Sequence, residues 1–239
     1  MDADPRTLWQ RARFEVRVAL DRVPGIFAAQ MALRGHRELV AGPGTDIVIE
    51  GFPRSANTYA VAAFAYAQPS PPRIARHLHA PAQLALAHRY GLPALLLIRP
   101  VPDPVLSVVI REQYLTVERA LRWYVEFHEA LLPLRSAFVV ATFDDVLHRF
   151  GSVIDGVNAR FGTTFARYEA TAQAEAIVQK RVEQMEREDS GSSEIRERAV
   201  ARPSRFRSRL KEELTAAYQA PDLASLREAA ARVYTQLAR

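Results

Sequence analysis

Apolar and polar positions repeat with several different periods along the chain, and the changes of period mark its elements. From about Pro5 to Leu33 the pattern is helical. Leu8, Val16, Leu20, Val23 and Phe27 are among its apolar positions, with Arg11, Arg13, Arg17 and Arg22 interspersed. Pro24-Gly25 breaks or kinks this run. Ala41-Gly42-Pro43-Gly44 reads as a loop, and Ile47-Val48-Ile49-Glu50 as a short buried strand. The Ala-rich stretch from Ser55 to Ala67 predicts a helix that Gln68-Pro69-Ser70-Pro71-Pro72 stops. Arg73 to His77 predicts a short strand, Ala80 to Tyr90 a helix ending before Gly91, and Ala94-Leu95-Leu96-Leu97-Ile98 another buried strand. A proline-rich turn, Arg99-Pro100-Val101-Pro102-Asp103-Pro104, leads into a helix from about Pro104 to Glu112.

Val117 to Leu134 predicts one long helix, Ala137 to Ala141 a strand, and Asp144 to Phe161 a helix with Gly162 near its end. Either Asp144 or Asp145 can cap that last helix. Thr171 to Arg187 reads as a charged helix and Asp189-Ser190-Gly191-Ser192-Ser193 as a flexible loop. An arginine cluster follows (Arg196, Arg198, Arg202, Arg205, Arg207, Arg209), overlapping two closing helices at about Pro203–Gln219 and Asp222–Leu237. There is no internal repeat. Strands alternating with helices predict an α/β fold, a parallel β-sheet flanked by helices, with a mostly helical C-terminal third. At 239 residues a single domain is expected over 1–239, with a helical extension at 1–40 and a helical portion at 170–239.

Composition sharpens this picture at three points. No cysteine is present, which removes disulfides, thiolate nucleophiles and cysteine-bearing metal sites. Lys180 and Lys211 are the only lysines, so 32 basic residues against 27 acidic ones give +5 almost entirely through arginine. That excess has two readings, a compositional bias toward Arg and Ala or an anionic ligand, since arginine grips phosphate and sulfate with two N–H groups. The N-terminal arginines likewise suit either an anionic membrane surface or, more commonly, a helix packed on its own domain. The acidic start Met1-Asp2-Ala3-Asp4-Pro5 is unlike a signal peptide, and no apolar stretch approaches a membrane span, so a soluble cytoplasmic protein is expected.

The chemistry concentrates after the first strand. A strand, a tight loop and a helix form a phosphate-binding unit in which backbone N–H groups point at the anion. Here it is Ile47–Glu50, then Gly51-Phe52-Pro53-Arg54-Ser55-Ala56-Asn57-Thr58, then the Ala-rich helix. The frame GxxxxGK[ST] fits at Gly51 and Thr58, but Ala56 stands where the second glycine would be and Asn57 where the lysine would be. That lysine contacts the β- and γ-phosphates of a nucleoside triphosphate, so its absence argues against magnesium-dependent triphosphate hydrolysis. What remains is an anion-binding loop whose positive charge is Arg54.

With these residues in view, the chain resembles the sulfotransferase family, whose loop is close to G-x-P-[KR]-S-G-[TN]-T. Residues 51–58 match it except at Ala56. The family also has an Arg at a strand end and a Ser eight residues later, as in R-[DN]-P-x-D-x-x-x-S. Arg99, Asp103 and Ser107 keep that register, with Pro100 in the polar position. A His-x-Pro segment lies between the two motifs in many members, and His79-Ala80-Pro81 matches it. Phe143-Asp144-Asp145-Val146-Leu147 is similar to a family Tyr-Glu-Asp-Leu segment.

The resemblance covers roughly Asp46 to Phe165 and implies a P-loop-like, nucleotide-binding transferase fold. The implied donor is 3′-phosphoadenosine-5′-phosphosulfate (PAPS), the product adenosine 3′,5′-bisphosphate (PAP), and no metal is called for. It implies that Arg54 stabilises the leaving group and that His79 takes the acceptor's proton, with His77 the substitute if the register is off. Ser55, Ala56, Asn57 and Thr58 fall at the 5′-phosphate, Tyr59 beside the adenine, and Arg99 and Ser107 at the 3′-phosphate. If His77 and His79 lie on one extended segment they share a face. The family's C-terminal R-K-G-x-x-G-x-W motif is absent. Arg202 lies in the equivalent region, where it either closes over the 3′-phosphate or belongs to a solvated charged surface.

The acceptor is left open among sugar, lipid, phenol and peptide hydroxyls, or an amine, and the oligomeric state is not read. No nucleic-acid partner and no integral membrane span are expected. Two other readings stand beside this one: a P-loop nucleotide kinase or NTPase, and a non-catalytic nucleotide- or anion-binding protein.

Overall fold

The computed structural model describes residues 5–190 and 205–239. In chain order the first helices are α1 (Pro5–Leu20) and α2 (Pro24–Leu33), followed by β1 (Ile47–Gly51), α3 (Asn57–Ala67), β2 (Ile74–Arg76), α4 (Pro81–Tyr90) and β3 (Ala94–Ile98). Then come α5 (Asp103–Arg111), α6 (Val117–Glu129), β4 (Val139–Thr142), α7 (Phe143–His148), α8 (Phe150–Phe161) and α9 (Ala172–Ser190), with α10 (Arg205–Gln219) and α11 (Ala224–Ala238) closing the described chain. The four strands form one parallel sheet in the order β2-β1-β3-β4, with Ile49 beside Leu95 and Leu96 beside Val140.

Period-2 alternation along β1 and β3 sorts the core into two layers. Ile47, Ile49, Leu95 and Leu97 pack on one face with Ala60, Phe64, Ile154 and Val178 from α3, α8 and α9. Val48, Leu96 and Ile98 pack on the other with Leu84, Leu106, Tyr124, Val233 and, from the N-terminal helices, Phe14 and Phe27. Both faces are covered, which is why these strands read as unbroken apolar runs. The C-terminal third is therefore part of both layers: α9 covers α3, and α11 covers α6. Among the described residues, no helix is long and apolar enough to cross a membrane.

The helical run over 5–33 does break at Pro24, as expected: α1 ends at Leu20 and Pro24 opens α2. Several other elements differ from expectation, each for a local reason. The helix predicted from Ser55 starts at Asn57, since Ala56 is left-handed (φ 67°). The helix predicted over 117–134 ends at Glu129, and Leu132–Ala137 is a 3₁₀ segment with Pro133 in its first turn. The helix predicted over 144–161 is two, α7 and α8, meeting at Arg149 (φ −138°). Its cap is Thr142: the Thr142 hydroxyl accepts from Asp145 N, and the Asp145 carboxylate accepts from Thr142 N, a capping box. Asp189 and Ser190 close α9 instead of opening a loop. Gly191 to Ser193, with Arg196, Arg198 and Arg202 of the arginine cluster, lie outside the described residues.

Candidate functional site

The order β2-β1-β3-β4 sends the connection after β1 toward one edge and the connection after β3 toward the other. Open α/β sheets place their ligand crevice at that divergence, beyond the carboxyl ends of the strands. A cavity of about 850 Å³ lies there. Its floor is the loop after β1, with Arg54, Ala56, Asn57, Thr58 and Tyr59. The segments after β2 and β3 contribute His77 and His79, and Arg99, and α5 contributes Ser107. One wall comes from α1 and α2 (Arg17, Asp21, Phe27), the opposite one from α9 (Gln179, Val182, Glu186).

The loop is anchored by its own side chains. Phe52 is fully buried, with ring centroids 4.7 Å from Trp123 and 5.1 Å from Tyr124. Asn57 Nδ2 donates to Phe52 O at 3.0 Å, closing the loop onto the start of α3, whose first-turn N–H groups lack intrahelical acceptors. Ser55 is fully buried and does not line the cavity; neither its hydroxyl nor Asn57 Oδ1 has a hydrogen-bond partner among the described residues.

The structure brings Arg54, Arg99 and Ser107 together. Arg54 Nε donates to Ser107 Oγ at 2.9 Å, and Arg99 donates to Arg54 O at 3.1 Å. The Arg99 guanidinium lies 3.9 Å from the Phe143 ring centroid and pairs with Asp103 at 2.8 Å. Asp103 also pairs with Lys211 of α10, so a lysine that sequence distance had set apart reaches the edge of the site. Desolvation pushes the Asp103 carboxyl up, but the Lys211 hydrogen bond and the Arg99 charge outweigh it and hold it below the usual range. Tyr59 lines the cavity with its hydroxyl committed, donating to Glu175 Oε1 of α9 at 2.6 Å. Burial and that carboxylate push its ionisation far up.

The two histidines are not on an extended segment sharing a face. His77 (φ 61°) and His79 (φ 50°) are both left-handed, and their ring centroids are 6.3 Å apart. Among the described residues four non-glycine residues have left-handed φ, namely these two with Arg54 (71°) and Ala56 (67°), and all four line the cavity. Such backbone is held by its surroundings and clusters at functional sites. A glycine at position 56 would relieve one of these strains. Ala56→Gly is expected to stabilise the fold by about 1 kcal/mol, raising Tm by about 2–4 °C for a chain of this size; a lower melting temperature in calorimetry would contradict the strain.

Hydrogen-bond partners fix the tautomers. His79 Nδ1 is 2.8 Å from Gly51 O, which only accepts, so Nδ1 carries the proton and Nε2 holds a free lone pair. His77 Nδ1 is 2.7 Å from the Arg76 guanidinium, which only donates, so in the neutral ring Nε2 carries the proton. Of the two, His79 can act as a base and His77 can only donate. Burial lowers His79 to about 4, helped by the charges of Arg111, Arg17 and Arg54 against the Gly51 bond. Burial, then His79, Arg76 and Arg111, lower His77 to about 3.

Glu50 is the site residue that sequence reasoning passed over. It closes the buried run of β1, and a carboxyl at the end of such a strand was the available signal. It is fully buried; its carboxyl accepts from Gly51 N and Leu78 N, each at 3.0 Å, and lies 3.5 Å from His79 Nδ1. It thereby holds the curled 77–79 segment against β1. Burial raises it to about 8, only partly offset by the backbone N–H groups of Gly51, Leu78 and His79. The folded protein thus holds this proton more tightly than the unfolded chain does. The resulting stabilisation is full below the ordinary value of 4.5 and is lost as pH rises through about 8. Between about pH 7 and about pH 8.5 the protein is expected to lose about 1 kcal/mol that Glu50→Gln does not lose. Parallel urea titrations of the two proteins check this, and identical slopes would contradict it.

Among the described residues, no group of three or more His, Asp or Glu side chains is placed to hold a metal ion. Arg202 lies outside the described residues. In comparisons with known proteins, no family model, no curated protein and no solved structure matches the chain.

Proposed function

We propose that this protein is a sulfotransferase, moving a sulfuryl group from PAPS to an acceptor hydroxyl or amine. The observation that carries the reading is the convergence on one cavity of Arg54, Arg99 and Ser107 with His79, whose Nε2 lone pair is free. The residues suit the donor's charges. Two guanidinium groups and the amino end of α3 flank the floor, where phosphate oxygens gain both charge and N–H donors.

In the reaction the acceptor oxygen bonds to sulfur as the bond from sulfur to the bridging oxygen breaks. The bridging electron pair stays on the phosphate of PAP. His79 Nε2 receives the acceptor's proton. Arg54 stabilises charge growing on the bridging oxygen, as preorganised cations do for phosphoryl transfer. Glu50, which holds the 77–79 segment against β1, positions the His79 ring.

Arg99 and Ser107 read the 3′-phosphate in this account. Arg99→Ala is expected to weaken PAP by about tenfold or more while changing 5′-AMP little, the loss of a charge-assisted hydrogen bond. Competitive titration of both nucleotides checks it; equal weakening would remove Arg99 from that role.

A further inference from the structure

Phe14 and Val18 of α1, with Phe27 and Met31 of α2, pack inward on the core. A surface helix packed in this way normally turns charged and polar residues to solvent. These two helices turn apolar ones. On α1 the exposed residues Leu8, Ala12, Val16 and Ala19 follow at spacings of four, four and three, which makes one stripe, and Trp9 lies beside it. On α2 the exposed residues Ile26, Ala29 and Leu33 follow at spacings of three and four, and no residue of that helix is charged. Trp9 is 65% exposed and Leu33 90%. Single exposed apolar side chains are ordinary. Here, however, six of the ten large ones among the described residues fall between Leu8 and Leu33, a concentration that marks an interaction surface.

The charge around this face has one sign. Residues 5–40 carry seven arginines and three acidic residues. Of the acids, Asp21 is buried, and Glu15 is held by Arg119 at 2.7 Å. Arg13, Arg34 and Arg37 are exposed, and neither Arg13 nor Arg37 has an ion-pair partner among the described residues. Arg13 stands one turn after Trp9, and Arg37 four residues after Leu33.

We propose that the outer face of α1 and α2 docks on an anionic lipid surface, with Trp9, Val16, Ile26 and Leu33 in the headgroup boundary and the arginines on lipid phosphates. Tryptophan rings settle at that depth, and basic residues gain from an anionic leaflet. Neither helix is long and apolar enough to cross a membrane, so the contact lies in the plane of the surface. A second copy of the chain fits less well, because a two-fold contact through this face would bring the same arginines together. The inner side of α2 supplies Phe27 and Met31 to the cavity, so a docked molecule holds that wall against the lipid. The inference stands apart from the sulfotransferase reading.

The test is flotation of the full chain with two kinds of vesicle, phosphatidylcholine alone and phosphatidylcholine with about 30% phosphatidylglycerol. Affinity for the anionic vesicles is expected to exceed that for the neutral ones by about tenfold or more, and to fall as salt screens the arginines. Trp9 and Trp123 are the only tryptophans, and Trp123 is already buried, so a blue shift of emission on binding reports Trp9. Trp9→Ser combined with Leu33→Ser is expected to weaken binding by about tenfold or more. Arg13→Gln combined with Arg37→Gln should remove most of the preference for anionic lipid. All four side chains are exposed, so both variants should keep the parent's circular dichroism and Tm; if one pair unfolds, the other carries the test. Binding to neither vesicle, equal binding to both, or affinity unmoved by the variants overturns the proposal. A dimer in sedimentation velocity that Trp9→Ser with Leu33→Ser dissociates would then give the face to a second copy.

Discussion

Replacing His79 by alanine is expected to lower sulfuryl transfer by about 10²–10⁴ with PAP binding intact. The expectation rests on the direction of two hydrogen bonds. Gly51 O fixes the His79 proton on Nδ1 and leaves Nε2 to the acceptor, whereas Arg76 fixes His77 as a donor. His77 therefore cannot take over, and His77→Phe should retain far more activity than His79→Ala. Burial and three arginines hold His79 at about 4, so it is already neutral well below neutral pH. In the free enzyme kcat/KM should stay level as pH falls from 7, then drop as it approaches that value; an ordinary histidine would begin to bend the profile near about 6.5. Full turnover by the His79→Ala protein in a single-turnover assay would contradict the assignment.

The largest effect on stability is expected at Gly51. A Cβ built there lies 2.4 Å from Leu97 O and 3.0 Å from both Leu97 Cβ and Asn57 Oδ1. The first is backbone of the neighbouring strand, paired with Gly51 in register, and it has nowhere to go. Gly51→Ala must push β1 from β3 or distort the loop, and is expected to cost about 3 kcal/mol or more. The same shift would move Asn57, and with it the closure of the phosphate loop. Urea unfolding measures the loss, and a stability equal to that of the parent protein would show that the strands can part at no cost.

Much of the fold was legible because both sheet faces are buried. The runs Ile47–Glu50 and Ala94–Ile98 read as buried strands by their shortness and their apolar continuity, and the turns that follow them carry the loop and Arg99 to one edge. The errors came where local chemistry overrides periodicity: Pro133 truncates α6, and Arg149 divides α7 from α8 within an apolar pattern that does not change. The resemblance implied that Arg54, Arg99 and Ser107 share one site, and the pairing of β1 with β3 brings them together. What spacing does not encode is the handedness of single residues and the direction of single bonds. The left-handed turn at His77 and His79, which gives them opposite roles, depends on Glu50 accepting from Leu78 N across the sheet. Asp21 and Lys211 reach the site from helices outside the recognisable core, where no motif marks them.

The most direct test of the central claim is calorimetric titration of the full chain with PAP, beside ATP with magnesium and beside 5′-AMP. The account predicts that PAP binds without metal and more tightly than either of the others, because Arg99 and Ser107 read its second phosphate. Tighter binding of ATP with magnesium, or no binding of PAP, would contradict it.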